Sequence, residues 1–382
     1  MRRSWEEINR RIDDGSVVVI TAEEMSELTA ERGTEEAYRR VDVVTTGTFG
    51  AMCSSGLLLN TGHHSPRINY SRAWINGVPA YAGIAAVDLY LGATARSETR
   101  RGYGGGHVIE ELASGRSVEL RAEGHGSDCY PGRSLTKGME LEELEDAILL
   151  NPRNCYQNYN VAVNASGSRT IRTYMGPLLP NMENVAYSSA GKLSPLLNDP
   201  EYRTVGIGSR VFLGGGVGYV AFHGTQHSPG VRRSAEGVPL GGAGTVALAG
   251  DLRSMSPEYL RGVWIPGYGA SLAVGVGMAI PMLDEALARQ AGLPEARLTA
   301  PVVDYSSDYP NLSGRVVGRV SYSQLRSGRV RLAGGERRTM PLSSYRKARQ
   351  IACELKSRVS SGAFRLARPV ERLPTADGAS GS

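Results

Sequence analysis

Four cysteines, at positions 53, 129, 155 and 353, are the side chains of this sequence best suited to nucleophilic or sulfur chemistry. No two of them form a CxxC pair, so the ligand spacing of zinc ribbons and iron–sulfur clusters is absent. Cys53 lies in "VVTTGTFGAMCSSGLLLNTGHHSP", a run of small and polar residues that follows a β-rich segment. A working thiolate requires polar surroundings and space rather than an apolar wall. The sequence therefore favours a reactive thiol at position 53.

Cys129 meets the same description in the loop "GHGSDCYPG". His125 and Asp128 lie close to it in sequence and are candidate bases for a thiol nucleophile. Cys155 lies in the polar stretch "NPRNCYQNYN" and is a weaker candidate, whereas Cys353 has apolar neighbours and is interpreted as structural. The sequence alone does not separate Cys53 from Cys129.

Metal and nucleotide chemistry have less support. His223 and His227 have an i, i+4 spacing, but Gly224 and Thr225 between them disfavour the helix that would align the two rings, so we expect no metal. The stretch "GGGVGYVA" contains G-x-G-x-x-A, which binds dinucleotides only where a strand ends and a helix begins. The residues that follow resemble a strand. An NAD(P)-dependent oxidoreductase is therefore kept only as an alternative.

Composition limits the class of partner. The 382 residues carry a net charge of +5, and the late basic residues lie on an amphipathic helix predicted over 345–359, so we expect no nucleic-acid binding. The charged N-terminus has no apolar signal region, and no segment has the roughly 20 apolar residues that cross a bilayer. These features favour a cytoplasmic protein with reduced thiols and no membrane contact.

The pattern of elements predicts a mixed α/β fold. Capping boxes at Ser4 and Thr21 precede helices, and strands are predicted within 16–20 and 41–46, which favours parallel pairing. Cys53 would then lie near a helix N-terminus beyond a strand. The stretch "LEELEDAILL" is predicted to be an acidic helix, and the glycine-rich second half to be partly antiparallel β-sheet of undetermined topology. We expect one domain over 1–373, divided into two lobes near residue 200, and a disordered tail over 374–382.

Ten segments in order identify a family resemblance. They include "VDVVTTGTFGAMCSSG", "GSDCYP", "NPRNCYQNY", "PGYGASL" and "PLSSYRKARQIA", and the similarity runs from about Trp5 to Leu373. The chain resembles the homocysteine biosynthesis proteins, sulfur-incorporating enzymes that act as L-aspartate semialdehyde sulfurtransferases. The resemblance implies transfer of sulfur to an aldehyde carbon, giving homocysteine after reduction. Its two shared cysteines match Cys53 and Cys129.

The resemblance also implies roles for neighbouring residues. We expect Cys129 to carry the persulfide and Cys53 to be its redox partner, although the two roles are exchangeable, with protons managed by His125 or Asp128. Expected substrate contacts are hydrogen bonds from Thr45, Thr46, Ser54 and Ser55, and an ion pair from Arg153 or Arg210 to the carboxylate.

The resemblance also implies the expected partners. No cofactor is expected to be tightly bound. Electrons would come from a ferredoxin-like iron–sulfur protein, and sulfur from a sulfane-sulfur donor protein or sulfide. The sequence is compatible with a homo-oligomer. Two further alternatives are insertion of sulfur into another aldehyde of a specialised pathway and a non-catalytic subunit that binds a sulfur amino acid.

Overall fold

A computed structural model describes residues 2–84, 86–308, 311 and 314–375. Its helices are α1 (Trp5–Asp13), α2 (Ala22–Arg32), α3 (Thr34–Arg40), α4 (Gly105–Ala113), α5 (Pro195–Asn198), α6 (Glu285–Ala291), α7 (Tyr322–Arg326) and α8 (Tyr345–Ser360). Its strands are β1 (Val19–Thr21), β2 (Val43–Thr45), β3 (Thr48–Ala51), β4 (Gly56–Asn60), β5 (Tyr70–Ile75), β6 (Val78–Ile84), β7 (Val87–Gly92), β8 (Val118–Gly124), β9 (Ser134–Met139), β10 (Asp146–Asn154), β11 (Val161–Val163), β12 (Ile171–Thr173), β13 (Gly176–Leu178), β14 (Asn184–Tyr187), β15 (Gly206–Ile207), β16 (Arg210–Leu213), β17 (Gly216–His223), β18 (Val246–Asp251), β19 (Leu260–Ile265), β20 (Gly269–Gly277), β21 (Ala279–Pro281), β22 (Thr299–Asp304), β23 (Val316–Ser321), β24 (Arg329–Leu332), β25 (Gly335–Pro341) and β26 (Glu371–Arg372). The predicted mixed α/β class is confirmed.

The N-terminal segment folds as its capping residues predict. The Ser4 hydroxyl accepts the Glu7 N–H at 3.0 Å, and Thr21 and Glu24 form a reciprocal capping box. β1 and β2 pair in parallel, with Val19 opposite Val43, and β21 adds an antiparallel strand. This three-stranded sheet confirms the predicted α/β arrangement at the start of the chain.

A large mixed sheet is the main scaffold. Its order is β19-β20-β16-β17-β18-β10-β4-β7-β6-β5-β8-β9, and β3 pairs with β20 off this path. The sheet contains strands from before and after residue 200. The predicted domain bounds of 1–373 and the division into two lobes near residue 200 stay a prediction. Helix α4 packs against β19 and β20 so closely that a Cβ on Gly106 would lie 2.1 Å from the Ser271 carbonyl oxygen.

A second sheet has the order β23-β22-β11-β14-β25-β24 and ends in the predicted hairpin of β24 and β25. Helix α8 packs on β3 and β20 and buries Ala348, Ile351, Leu355 and Val359, as its periodicity predicts. Cys353, expected among apolar neighbours, is exposed on the other side of this helix. Its interpretation as a packed structural cysteine is wrong.

Two further expectations need correction or completion. The acidic helix predicted over 141–150 is wrong, because a short 3-10 turn at Leu141–Glu143 leads into β10, which pairs with β4 and β18. Its burial alternates, with Ala147 and Leu149 inside and Asp146 and Ile148 outside, and a strand satisfies that period of two. "GGGVGYVA" contributes to the β16–β17 hairpin, so the dinucleotide pattern lacks its required helix.

Of the expected tail, residues 376–382 lie outside the described residues. None of the helices in the described ranges combines the length and the apolar character that crossing a bilayer demands.

Candidate functional site

Cys53 lies in a two-residue turn between β3 and β4 and lines a cavity of the protein. The expected helix N-terminus beside it is wrong, because the chain turns directly into the next strand. The Met52 N–H donates to the Leu272 carbonyl at 2.8 Å and holds this turn against β20. The Ser271 hydroxyl, on the same buried strand, donates to the Cys53 Sγ at 3.3 Å. A hydroxyl donor in this position stabilises negative charge on sulfur.

The opposite wall comes from the end of β10. The register between β10 and β18 shifts between Asn151 and Asn154, and such a bulge redirects the side chains that follow it. The Asn151 side-chain amide donates to the Ser55 Oγ at 2.9 Å and ties this bulge to the segment that carries Cys53. Arg153 and Cys155 then line the same cavity as Cys53. The fold therefore brings together two thiols and a guanidinium.

Cys155 has an unusual environment. The residue is 3% exposed, and burial raises the pKa of its thiol. Its φ of 50° is in the left-handed region, which non-glycine residues adopt mainly where the surrounding structure enforces it. The Asn154 Oδ1 accepts the Cys155 N–H at 2.6 Å, and Gln157 donates to the Leu196 and Pro200 carbonyls, so the segment is fixed on both sides.

Four tyrosines enclose the cavity. Tyr156 and Tyr159 have ring centroids 4.8 Å apart, and Tyr174 lies 6.4 Å from both Tyr159 and Tyr268. The Tyr174 hydroxyl donates to the Tyr159 hydroxyl at 3.0 Å. Burial raises the pKa of Tyr156 and of Tyr174, so both hydroxyls stay protonated at neutral pH. These rings limit the access of water and leave O–H groups as donors.

The cavity has a volume of about 170 Å³, and its wall includes buried polar atoms without a hydrogen-bond partner in the described part of the chain. Within the described residues, the buried Arg153 Nε and the Ser188 Oγ have no hydrogen-bond partner. Buried polar atoms are normally paired, so these two positions fit an absent polar ligand or water. The remaining lining residues are Thr48, Ala51, Met52, Ser54, Ser189, Ser194, Pro195, Gln226 and Leu342.

Three of the predicted site residues line this cavity: Cys53, Ser54 and Arg153. The other predicted substrate contacts do not. The Thr45 and Thr46 hydroxyls donate to the carbonyls of Ala352 and Met278, and Ser55 is held by Asn151 as described. Arg210 lies over the Phe364 ring at 5.0 Å and donates to the Arg365 carbonyl. These side chains bind the protein itself because they belong to strands or their edges rather than to the cavity wall.

Cys129 lies elsewhere, on the exposed loop between β8 and β9 that also carries His125 and Asp128. None of these three residues lines the cavity. In the large sheet, β8 is four positions from β4, which at strand spacing is about 19 Å. The loop also lies at the level of Asn60, the end of β4 away from Cys53. The expectation that Cys53 and Cys129 share one cavity is therefore not met in this fold.

The sequence reasoning missed the tyrosines and Ser271, and it ranked Cys155 below Cys129. The signal for Cys155 was present in "NPRNCYQNYN", where Asn-Pro indicates a break in a strand and tyrosines follow. The histidine pair gives no ligand set. Both ring nitrogens of His227 contact carbonyls, of Thr245 and Pro374, and the described ranges contain no group of three metal-ligating side chains.

Comparison with known proteins gives concordant matches. The family model described as "Homocysteine biosynthesis enzyme, sulfur-incorporation" matches residues 17–366. The L-aspartate semialdehyde sulfurtransferase of Methanosarcina acetivorans is 48% identical over 377 residues, which cover 98% of this chain and 72% of that protein. The protein of the same name from Methanocaldococcus jannaschii is 43% identical over 391 residues, 98% of this chain and 74% of its own. No solved structure matches the chain.

Proposed function

We propose a function from one premise: the chain belongs to the homocysteine biosynthesis family of sulfur-incorporating enzymes. The family predicted from the sequence motifs is thereby confirmed, and the chain is an enzyme of the sulfurtransferase type. We assign to it the transfer of sulfane sulfur from a cysteine persulfide to the aldehyde carbon of L-aspartate semialdehyde. The observation that carries this assignment is a partly accessible thiol, Cys53, in one cavity with the guanidinium of Arg153.

Cys53 is the better persulfide carrier of the two predicted thiols. It faces a cavity lined by four tyrosines and receives a hydrogen bond from Ser271, whereas Cys129 is exposed on a surface loop. A persulfide on Cys53 would meet the aldehyde with little competing water. The exposure of Cys129 fits first contact with a sulfur donor, and this role stays part of the proposal.

Arg153 supplies the means to hold the substrate. Its guanidinium lies over the Tyr156 ring at 5.6 Å, and its Nε has no partner among the described residues. A carboxylate is the natural ligand for such a group, because guanidinium and carboxylate form short, charge-assisted hydrogen bonds. With the carboxylate at Arg153 and the hydroxyl of Ser188 nearby in the wall, the aldehyde end of a four-carbon substrate would extend toward Cys53.

The reaction needs electrons that a single chain does not hold. Conversion of an aldehyde and sulfane sulfur into a thiol and water consumes four electrons, two to reduce the sulfane sulfur and two to reduce the thiocarbonyl. We propose a ferredoxin-like iron–sulfur protein as the electron donor and a sulfane-sulfur protein as the sulfur source, with no tightly bound cofactor. Sulfide is already reduced, so it would add to the aldehyde directly, with two electrons needed instead of four, and would not load Cys53. We also place the reaction in the cytoplasm, where thiols stay reduced.

The proposal is tested by intact-mass spectrometry and product analysis. Immediately after mixing with cysteine persulfide, the protein should carry one added sulfur atom on Cys53, and with L-aspartate semialdehyde and reductant it should form homocysteine. Cys53→Ser should lose both properties, whereas Cys353→Ser, a matched control on the exposed face of α8, should retain both. Homocysteine formation by the Cys53→Ser protein at the wild-type rate would contradict the proposal.

A further inference from the structure

We propose that Cys155 is the thiol that releases sulfur from a persulfide on Cys53, closing a disulfide between the two residues. The inference rests on the proposed function, because it needs a persulfide at Cys53. It adds a second catalytic residue to the cavity and replaces Cys129 as the redox partner within one chain.

The first support is position. Gly56 on β4 faces Leu150 on β10, and the next pair, Ser55 and Asn151, is joined by a hydrogen bond of 2.9 Å. The two segments therefore leave the sheet side by side, one toward Cys53 and the other through the bulge toward Cys155. Both thiols then line the same cavity. Cys53 and Cys155 therefore lie on adjacent segments, as a disulfide requires, whereas the loop of Cys129 follows a strand four positions away in the sheet.

The second support is the backbone of Cys155. Its φ of 50° lies in the left-handed region, which is strained for a cysteine and which a glycine or asparagine adopts more readily. The Asn154 side chain and the anchored Gln157 hold the residue in this conformation. In this conformation the residue packs in the main buried apolar cluster and at the same time lines the cavity.

The third support is the contrast between the two thiols. Cys53 is partly accessible and receives the Ser271 hydroxyl, so an external sulfur donor reaches it. Cys155 is buried and its thiol stays protonated, so it does not compete for external sulfur. It reacts only with a persulfide already formed on the neighbouring Cys53. Holding the two sulfurs side by side compensates for the low nucleophilicity of a protonated, buried thiol.

The step balances without a further reagent. The sulfur of Cys155 attacks the inner sulfur of the Cys53 persulfide, the bond to the outer sulfur breaks, and the Cys155 proton passes to the departing hydrosulfide. The products are a Cys53–Cys155 disulfide and one hydrogen sulfide, so two thiol sulfurs are oxidised and one sulfane sulfur is reduced. Sulfide is thus generated inside the cavity, next to the aldehyde. The iron–sulfur donor of the proposed function later reduces the disulfide.

The test follows one turnover without aldehyde or reductant. The full-length protein is loaded with cysteine persulfide and freed of excess, and the Cys53 persulfide, the released sulfide and the disulfides are followed by mass spectrometry. We expect wild type to release one sulfide per chain and to yield a peptide that links Cys53 to Cys155. In Cys155→Ser and Cys155→Gly the persulfide should persist, with decay slowed on the order of 100-fold or more. Cys155→Gly keeps the backbone conformation accessible and guards against misfolding.

The outcomes separate the inference from the function it rests on. Failure of Cys53 to form a persulfide in the Cys155 variants, together with no released sulfide from wild type, would overturn the proposed function and this inference with it. A persulfide that forms on Cys53 but decays equally fast in both Cys155 variants overturns the inference alone. So does a disulfide that links Cys53 to Cys129 and is lost in Cys129→Ser. Cys353→Ser should behave as wild type in every measurement.

Discussion

Arg153 is the residue whose replacement tests the substrate assignment most directly. We predict that Arg153→Met lowers kcat/KM for L-aspartate semialdehyde because the substrate carboxylate loses its partner. The Nε of Arg153 is buried and unpaired among the described residues, so the wild-type ion pair forms in a partly dehydrated site. A hydrogen bond to a charged group contributes about 1.5–3 kcal/mol. At 1.36 kcal/mol per factor of ten, this corresponds to a loss of roughly 10- to 150-fold.

The assay compares two substrates in two proteins. Initial rates of sulfur incorporation are measured for L-aspartate semialdehyde and for its carboxamide, with wild type and Arg153→Met. The loss caused by the variant should be large for the carboxylate substrate and small for the carboxamide, because only the carboxylate pairs with the guanidinium. Arg210→Met is the matched control, since Arg210 lies over Phe364 and outside the cavity.

Two results would refute this reasoning. One is an Arg153→Met enzyme with kcat/KM within twofold of wild type on L-aspartate semialdehyde. The other is an equal loss on both substrates, which would show that Arg153 supports the cavity wall through Tyr156 rather than the carboxylate.

Three further predictions use other features of the site. Ser271→Ala should slow alkylation of Cys53 by iodoacetamide about two- to tenfold, since one hydrogen bond to the sulfur is lost; an unchanged rate would contradict this. Burial lowers the pKa of Lys192 to about 7, so between pH 7 and 10 the unfolded chain binds a proton that the folded chain does not. The free energy of unfolding of wild type should therefore rise with pH in this window. Lys192→Met lacks the titrating group, so in urea titrations its free energy of unfolding minus that of wild type should fall as the pH rises. Gly106→Ala should destabilise the protein by about 1–3 kcal/mol in thermal unfolding, because its Cβ would meet the Ser271 carbonyl, whereas Gly230→Ala, with open space, should not.

Helices could be predicted where the sequence contains both a capping residue at the first turn and a regular spacing of apolar residues after it. The Ser4 cap before α1, the capping box before α2 and the apolar spacing of α8 are examples, and the small and polar neighbours of Cys53 indicate a residue that in the structure lines the cavity. Each of these inferences uses residues within about four positions of one another. The family resemblance relates residues that are much farther apart in sequence, because the family model matches residues 17–366.

The pairing of distant segments could not be predicted in this way. The stretch that became β10 is rich in Leu and Glu, which favour a helix, but β4 and β18 flank it and satisfy its backbone as a strand. The same pairing decides which cysteine meets Cys53. Because β10 lies directly beside β4 whereas β8 is four strands away, Cys155 reaches the cavity and Cys129 does not. Local composition made the two candidates look alike, and only the strand order separates them.

The surroundings of the two cavity thiols also fix an order of events. A sulfur donor must reach the thiol it loads, and Cys53 is the accessible one. If Cys155 were equally accessible, an external sulfane-sulfur donor would load it as readily as Cys53, and the sulfur would then lack the Ser271 hydroxyl as hydrogen-bond donor. Its burial and protonation prevent this in the resting enzyme, since thiolates rather than thiols react. Once a persulfide forms on Cys53, the Cys155 sulfur attacks it and passes its proton to the departing hydrosulfide in the same step. No free thiolate then has to form at the buried Cys155. The raised pKa of Cys155 therefore delays its reaction until a persulfide lies beside it, which is the behaviour that a resolving thiol in this position requires.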